Sequence, residues 1–178
     1  MDNNFDFDIP ETLRDVKLSQ WQQYVDILDK NKDAELTDFL DKKLLEIFCG
    51  IKLKDVDKIG LNVFDNTLQH LYNVLNSKPE LVKTFEMTGT DGVTVEFGLI
   101  PNFDNMSYGE FVDLEKYLFV DKDFHRAMAV MYRPVKFKSK GSYLIHDYKG
   151  TEYLAEVMKS TPLDVALSAR VFFYRLAT

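Results

Sequence analysis

Cysteine is almost missing from this chain of 178 residues: Cys49 stands alone. A single cysteine excludes an internal disulfide framework and fits a reducing compartment. Its place in the apolar run LLEIFCGI predicts a buried, unreactive thiol. Histidine is scarce as well. His70, His125 and His146 lie far apart, and none stands at a metal-ligand spacing such as HExxH from a second ligand. No metal is expected, and each histidine fits a surface or packing role. There is no G-x-S-x-G elbow, Cys49 has no protease-like context, and the stretch TGTDG lacks both the lysine and the glycine spacing of a phosphate loop. Asp113 and Glu115 would point to different faces of one helix and so form no local acid pair. Nothing nominates a catalytic or cofactor-binding residue, so a non-enzymatic protein without a cofactor is expected.

Long apolar runs are missing too. None approaches the roughly 20 residues of a membrane-spanning helix, and MDNNFDFDIP is acidic where a signal peptide would be basic and then apolar. These features predict no membrane association and a location in the cytosol or in an assembly built there. No internal repeat or low-complexity linker interrupts the chain, and its length suits one core, so a single domain over residues 1–178 is expected.

Hydrophobic residues make up 46% and charged residues 29%, the balance of a globular protein that buries a core. The formal charge of −7 is unevenly placed. Residues 1–50 carry twelve acids and six bases, while residues 126–178 carry four acids and nine bases. A chain polarised in this way can neutralise itself within one fold, associate head to tail, or dock on a partner of mixed charge.

Periodicity predicts a mainly helical α+β fold, a helical bundle with one or two small β-hairpins. Residues 1–10 alternate Phe5, Phe7 and Ile9 with acids and end at Pro10, which suits an extended arm that inserts into a neighbour or folds back. Leu18, Trp21, Val25 and Leu28 form a helical stripe with Trp21 as core anchor. A helix from Thr37 to Cys49 ends at Gly50, a short piece spans 54–59, and a strong helix covers about 62–76. Phe85 and Met87, then Val93, Val95 and Phe97, alternate as a hairpin around TGTDG.

The region 104–135 contains the clearest start signal, the capping box Ser107-x-x-Glu110. Phe111, Leu114 and Leu118 predict one apolar stripe, and Phe124, Ala127, Met128 and Met131 a second that stops at Pro134. Together they suggest an αα-hairpin. Asp104, Glu110 and Asp113 suit caps or partners for Arg126 and Arg133, and Arg133 itself suits either the C-terminus of the second helix or a partner contact. Lys136, Lys138 and Lys140 alternate around Phe137 and lead through Gly141 to Tyr143 and Ile145, a second hairpin with a basic face. No arginine-rich cluster accompanies it, so nucleic acid is not an expected partner. Thr151 suits the cap of a short helix, and Thr161-Pro162 the start of a last helix. That last helix is apolar nearly all round, broken by Arg170 and Arg175, as befits a core helix or one covered by another subunit. Phe5, Phe7, Arg133, Lys136, Lys138, Lys140, Arg170 and Arg175 are thus the candidate partner contacts.

Several of these stretches combine into a resemblance. IPETLRDVKLSQ at 9–20, GLIPNFDNMSYGEFVDLEKYL at 98–118, HRAMAVMYRPV at 125–135, YKGT at 148–151 and PLDVALSARVFF at 162–173 resemble a group of proteins encoded by tailed bacteriophages, marine and gut phages among them. The specific part is the pairing of GExxDLxxY with MAVxYRP, and Ser168 stands where that group has a glycine. The resemblance implies a virion-assembly or tail-associated protein whose partners are phage structural proteins, with a homo-oligomer left open. It implies the host cytoplasm during assembly, and the virion if the protein is retained. A connector or ring subunit is one alternative. A host-directed inhibitor using the acidic segment Asp26–Asp41 is another. The resemblance transfers no functional residues.

Overall fold

The protein is described by a computed structural model that covers residues 7–33 and 35–177, with side chains through Arg175. Phe5 lies outside the described residues. The chain opens with a short 3-10 turn and then four helices, α1 (Leu18–Lys30), α2 (Thr37–Cys49), α3 (Leu53–Val56) and α4 (Leu61–Leu75). Strands β1 (Thr84–Thr88) and β2 (Thr94–Leu99) follow, then α5 (Tyr108–Tyr117) and α6 (Phe124–Met131), strands β3 (Tyr132–Ser139) and β4 (Ser142–Ile145), and finally α7 (Ala155–Met158) and α8 (Leu163–Ala177). The two predicted hairpins are not separate. They join edge to edge as a four-stranded antiparallel sheet in the order β1-β2-β3-β4, with the α5–α6 hairpin inserted between the two middle strands. The domain is therefore α+β. The sheet contributes Phe85, Phe97, Leu99 and Tyr132 to the same core that the helices line.

At the centre of that core is α6. Phe124, His125, Ala127, Met128, Ala129, Val130 and Met131 are all buried, so this helix has an apolar surface on nearly every side rather than the single stripe predicted. It ends at Met131 and the backbone passes straight into β3. Pro134 does not stop the helix, as predicted, but sits three residues into the strand. A proline in an inner strand is tolerated where no ladder N–H is needed. Here its carbonyl still accepts from His146 N–H at 3.0 Å, and a bulge follows between Val135 and Phe137.

The helical half largely follows its sequence signals. Gly50 adopts φ 70°, the left-handed conformation that closes α2. Tyr24 of α1 meets Phe48 of α2 edge to face at 5.5 Å. Trp21 is only partly buried, while Gln22 is buried because its amide donates to the Asp121 carbonyl at 2.6 Å. Phe7 packs against the chain's own core and His70 Nε2 donates to the Pro10 carbonyl at 2.9 Å, so residues 7–10 fold back. Thr151 is buried and holds α7 through its backbone carbonyl, which accepts from Ala155 N–H at 2.9 Å. Thr161 is buried too, and Pro162 supplies the first carbonyl of α8, to Val165 N–H at 3.1 Å.

Gly98 marks the tightest point of the sheet. A Cβ there would stand 2.5 Å from Tyr143 Cε2 and 3.1 Å from Ile145 Cγ2. Tyr143 cannot swing away freely, because its hydroxyl donates to the Leu99 carbonyl at 2.8 Å. Gly98→Ala should cost about 1–3 kcal/mol, the range for overpacking a filled site, measured as a lower urea midpoint at unchanged m-value.

Candidate functional site

Glu110 determines what α5 shows to the solvent. Ser107 Oγ accepts from Glu110 N–H at 3.3 Å and Glu110 Oε2 accepts from Ser107 N–H at 2.7 Å, the predicted capping box. The other carboxylate oxygen, Oε1, lies 2.5 Å from Arg133 Nη1 on β3, and each side chain of this pair keeps only 8% of its surface exposed. Glu110 thus serves as both cap and ion-pair partner. Burial raises its pKa, but the bonds from Ser107 and the Arg133 charge outweigh that and hold the carboxyl below its ordinary value. Arg133 Nε is buried without an acceptor, and the guanidinium lies over the Tyr148 ring at 5.6 Å. Tyr148 in turn donates its hydroxyl to Asp113 on α5. One turn of α5 is therefore tied twice to the sheet side of the molecule.

Because Glu110 takes the inward position, Phe111 does not. Leu114 and Leu118 are buried as predicted, whereas Phe111 is 54% exposed, Phe119 53% and Tyr108 83%. These rings border a groove of about 900 Å³ between α5 and the end of α8, floored by Phe103, Met106, Leu114, Leu118 and Phe173. Phe103 meets Phe173 edge to face at 5.0 Å, and Phe119 meets Tyr174 at 6.2 Å. Scattered surface apolar residues are ordinary, but a contiguous aromatic groove marks a contact surface. Local periodicity could not have identified it, since the stripe Phe111-Leu114-Leu118 reads as wholly inward. The signal was the glutamate one residue earlier, committed to two buried roles.

The predicted contacts fall in different places. Arg133 is neither a helix C-cap nor a surface group: it is strand-borne and buried, so it cannot meet a partner without breaking its own pair. Arg170 is engaged within the chain, with Nη1 at 2.6 Å from Asp121 Oδ1 and its guanidinium over the rings of Phe124 at 5.0 Å and Trp21 at 5.7 Å. Arg126 pairs with Glu152 of the α7 approach and more distantly with Asp123, not with the acids of α5. Lys136, Lys138 and Lys140 are exposed on the β3–β4 hairpin, Lys138 pairing with Glu96 at 2.7 Å, and Arg175 is exposed at the end of α8. Phe7 is occupied by the core. Of the predicted contacts among the described residues, the three lysines and Arg175 therefore remain at the surface.

The titratable groups adopt packing roles. Burial pushes the Cys49 thiol up to about 11, which leaves it protonated and unreactive at neutral pH. His125 is buried, and burial together with the charges of Lys159 and Arg126 depresses its pKa; its Nδ1 accepts from the Gln22 amide at 3.2 Å. No group of three or more His, Cys, Asp or Glu among the described residues is arranged to hold a metal ion. Among the described residues no helix is long and apolar enough to cross a membrane. Ser168 is buried, donating its hydroxyl to the Val165 carbonyl at 3.0 Å and accepting weakly from Val82 N–H at 3.4 Å, so it links α8 to the lead-in of β1. No protein-family model, curated protein or solved structure matches the chain.

Arg133→Met should destabilise the fold by about 3–5 kcal/mol, because it strands a buried carboxylate, whereas Glu110→Gln with Arg133→Met together should cost less than the sum. The pH dependence has a definite sign. A carboxyl depressed in the fold contributes stability above its ordinary value near 4.5 that is lost as pH falls through the folded value. Urea midpoints between pH 7 and pH 3 should fall less in Glu110→Gln than in the wild type.

Proposed function

We propose that this chain is a bacteriophage virion-assembly or tail-associated protein that works without catalysis, through contacts with phage structural proteins in the host cytoplasm. The observation that carries this reading is the aromatic groove of α5 and α8, built on a side of the molecule where Glu110 and Asp113 have already spent their charge on the fold. The resemblance through GExxDLxxY and MAVxYRP supplies the phage context. The groove runs beside two helices and is bordered by rings, with Glu115 at its edge and Arg175 exposed on α8. Such a surface suits an amphipathic helix of the partner, whose apolar side would lie on Phe103, Leu114 and Phe173 while its polar side stays wet.

The acidic segment is less suited to nucleic-acid mimicry. Asp26 is paired with Lys30 at 2.6 Å and Asp29 with Lys32 at 3.6 Å, so its charge is partly offset along α1 and just beyond it. Tagged protein expressed during infection should co-purify a tail or other virion polypeptide, and Phe111→Asp should weaken that capture by about thirtyfold, the effect of losing a buried aromatic anchor worth roughly 2 kcal/mol. The urea midpoint of Phe111→Asp should stay at the wild-type value. Capture of a host nuclease or polymerase instead, or capture indifferent to Phe111, would contradict the proposal.

A further inference from the structure

The β3–β4 hairpin carries a second surface that neither the core nor the groove uses. Pairing of β3 with β2 ends at Pro134, so beyond the bulge β3 and β4 continue as a two-stranded ribbon. Its tip is the turn Lys140-Gly141, with φ 39° and 84°, the two successive positive angles of a tight hairpin loop. Phe137 and Leu144 stand opposite each other in register, on one face, and are 60% and 59% exposed. The neighbouring position Tyr143 turns the other way, onto Gly98. Lys136 and Lys140 make no ion pair among the described residues. The ribbon thus shows an uncovered apolar pair on one face, with Lys136 at the bulge and Lys140 at the tip, while Lys138 shares the position of Tyr143 and pairs with Glu96.

A matching surface lies at the other charged end of the chain. The start of α2 and the end of α3 enclose a groove of about 850 Å³ that includes Leu36, Phe39 and Leu53 and is edged by Glu35, Asp38 and Asp57. Lys42 offsets Asp57, at 2.5 Å, and leaves Glu35 and Asp38 unanswered by any ion pair among the described residues. The unpaired charges, Lys136 and Lys140 on the ribbon and Glu35 and Asp38 at the groove, are of opposite sign. Both surfaces combine exposed apolar groups with charge of opposite sign, and both are open in the same molecule, so the ribbon does not fill its own groove.

We infer that the β3–β4 ribbon docks in the α2–α3 groove of a second copy of this chain, a head-to-tail contact. Such a contact joins two different patches, so a pair of copies still has one ribbon and one groove free, on different copies, and the series closes into a ring or extends as a filament. This deepens the proposed assembly role by adding a copy-to-copy surface, and it uses none of the residues of the α5–α8 groove.

Charge exchange tests it. Sedimentation velocity of the full chain over a wide concentration range should show self-association at low salt that weakens at high salt. Lys136→Glu with Lys140→Glu should weaken association at least tenfold, and so should Glu35→Lys with Asp38→Lys. Mixing the two variants should restore it, because each then presents a complement to the other. A wild-type chain that stays monomeric throughout, an oligomer that survives both double variants, or a mixture that stays dissociated would each overturn the inference. Circular dichroism of both variants separates misfolding from lost contact, and capture of a virion polypeptide through Phe111 is read independently.

Discussion

The placement of α5 against the sheet depends on one buried ion pair. Moving a carboxylate and a guanidinium out of water costs several kcal/mol each, and the pair is retained only where further hydrogen bonds complete its coordination. Glu110 meets that condition by taking Ser107 N–H on one oxygen and Arg133 on the other. Arg133 meets it less fully, since neither Nε nor Nη1 makes a hydrogen bond and Nη1 is held by charge alone, and the Tyr148 ring stacked on it supplies part of the compensation. The result is a cross-link between the first turn of α5 and the first residues of β3. Those two segments are separated in sequence by the whole of α6, so the pair also fixes how that buried helix enters and leaves the core.

Surface chemistry follows from this constraint. In α5 Glu110 turns inward and its neighbour Phe111 turns outward. With Phe111, Tyr108 and Phe119 turned to solvent, the side of the molecule formed by α5 and α8 becomes aromatic, with Glu115 at the groove edge and Arg175 exposed on α8. Meanwhile three lysines of the last third lie on the ribbon that β3 and β4 form after Pro134, and three acids of the first third edge the opening between α2 and α3. Part of the charge imbalance along the sequence is therefore found at two separate places in the fold. These two places and the aromatic groove are the surfaces on which the proposed assembly role rests.

Much of this was readable from local signals because those signals are local in origin. Gly50 ends α2 as a residue that tolerates positive φ, Ser107 and Glu110 cap α5 through bonds three residues apart, and both hairpins follow the period of two. The pairing of Glu110 with Arg133 was also among the alternatives the sequence offered. What could not be read was which role would win. Phe111 fits an apolar stripe, and only a partner 23 positions away in β3 explains why Glu110 displaces it. The burial of Gln22 was equally beyond local signals, since its amide is held by the Asp121 carbonyl far along the chain. Pro134 was read as a helix stop, but a chain already leaving α6 at Met131 needed none. Periodicity records which residues are apolar, not which polar residues find a partner.

The most direct measurement of the central constraint is hydrogen–deuterium exchange of the wild type against Glu110→Gln at neutral pH. If the ion pair anchors α5, protection should fall across residues 107–118 and at the start of β3, while α1, α2 and α4 keep theirs. Unchanged exchange in α5, or a uniform loss over the whole chain, would contradict the account and show that the helix is held by its apolar contacts alone.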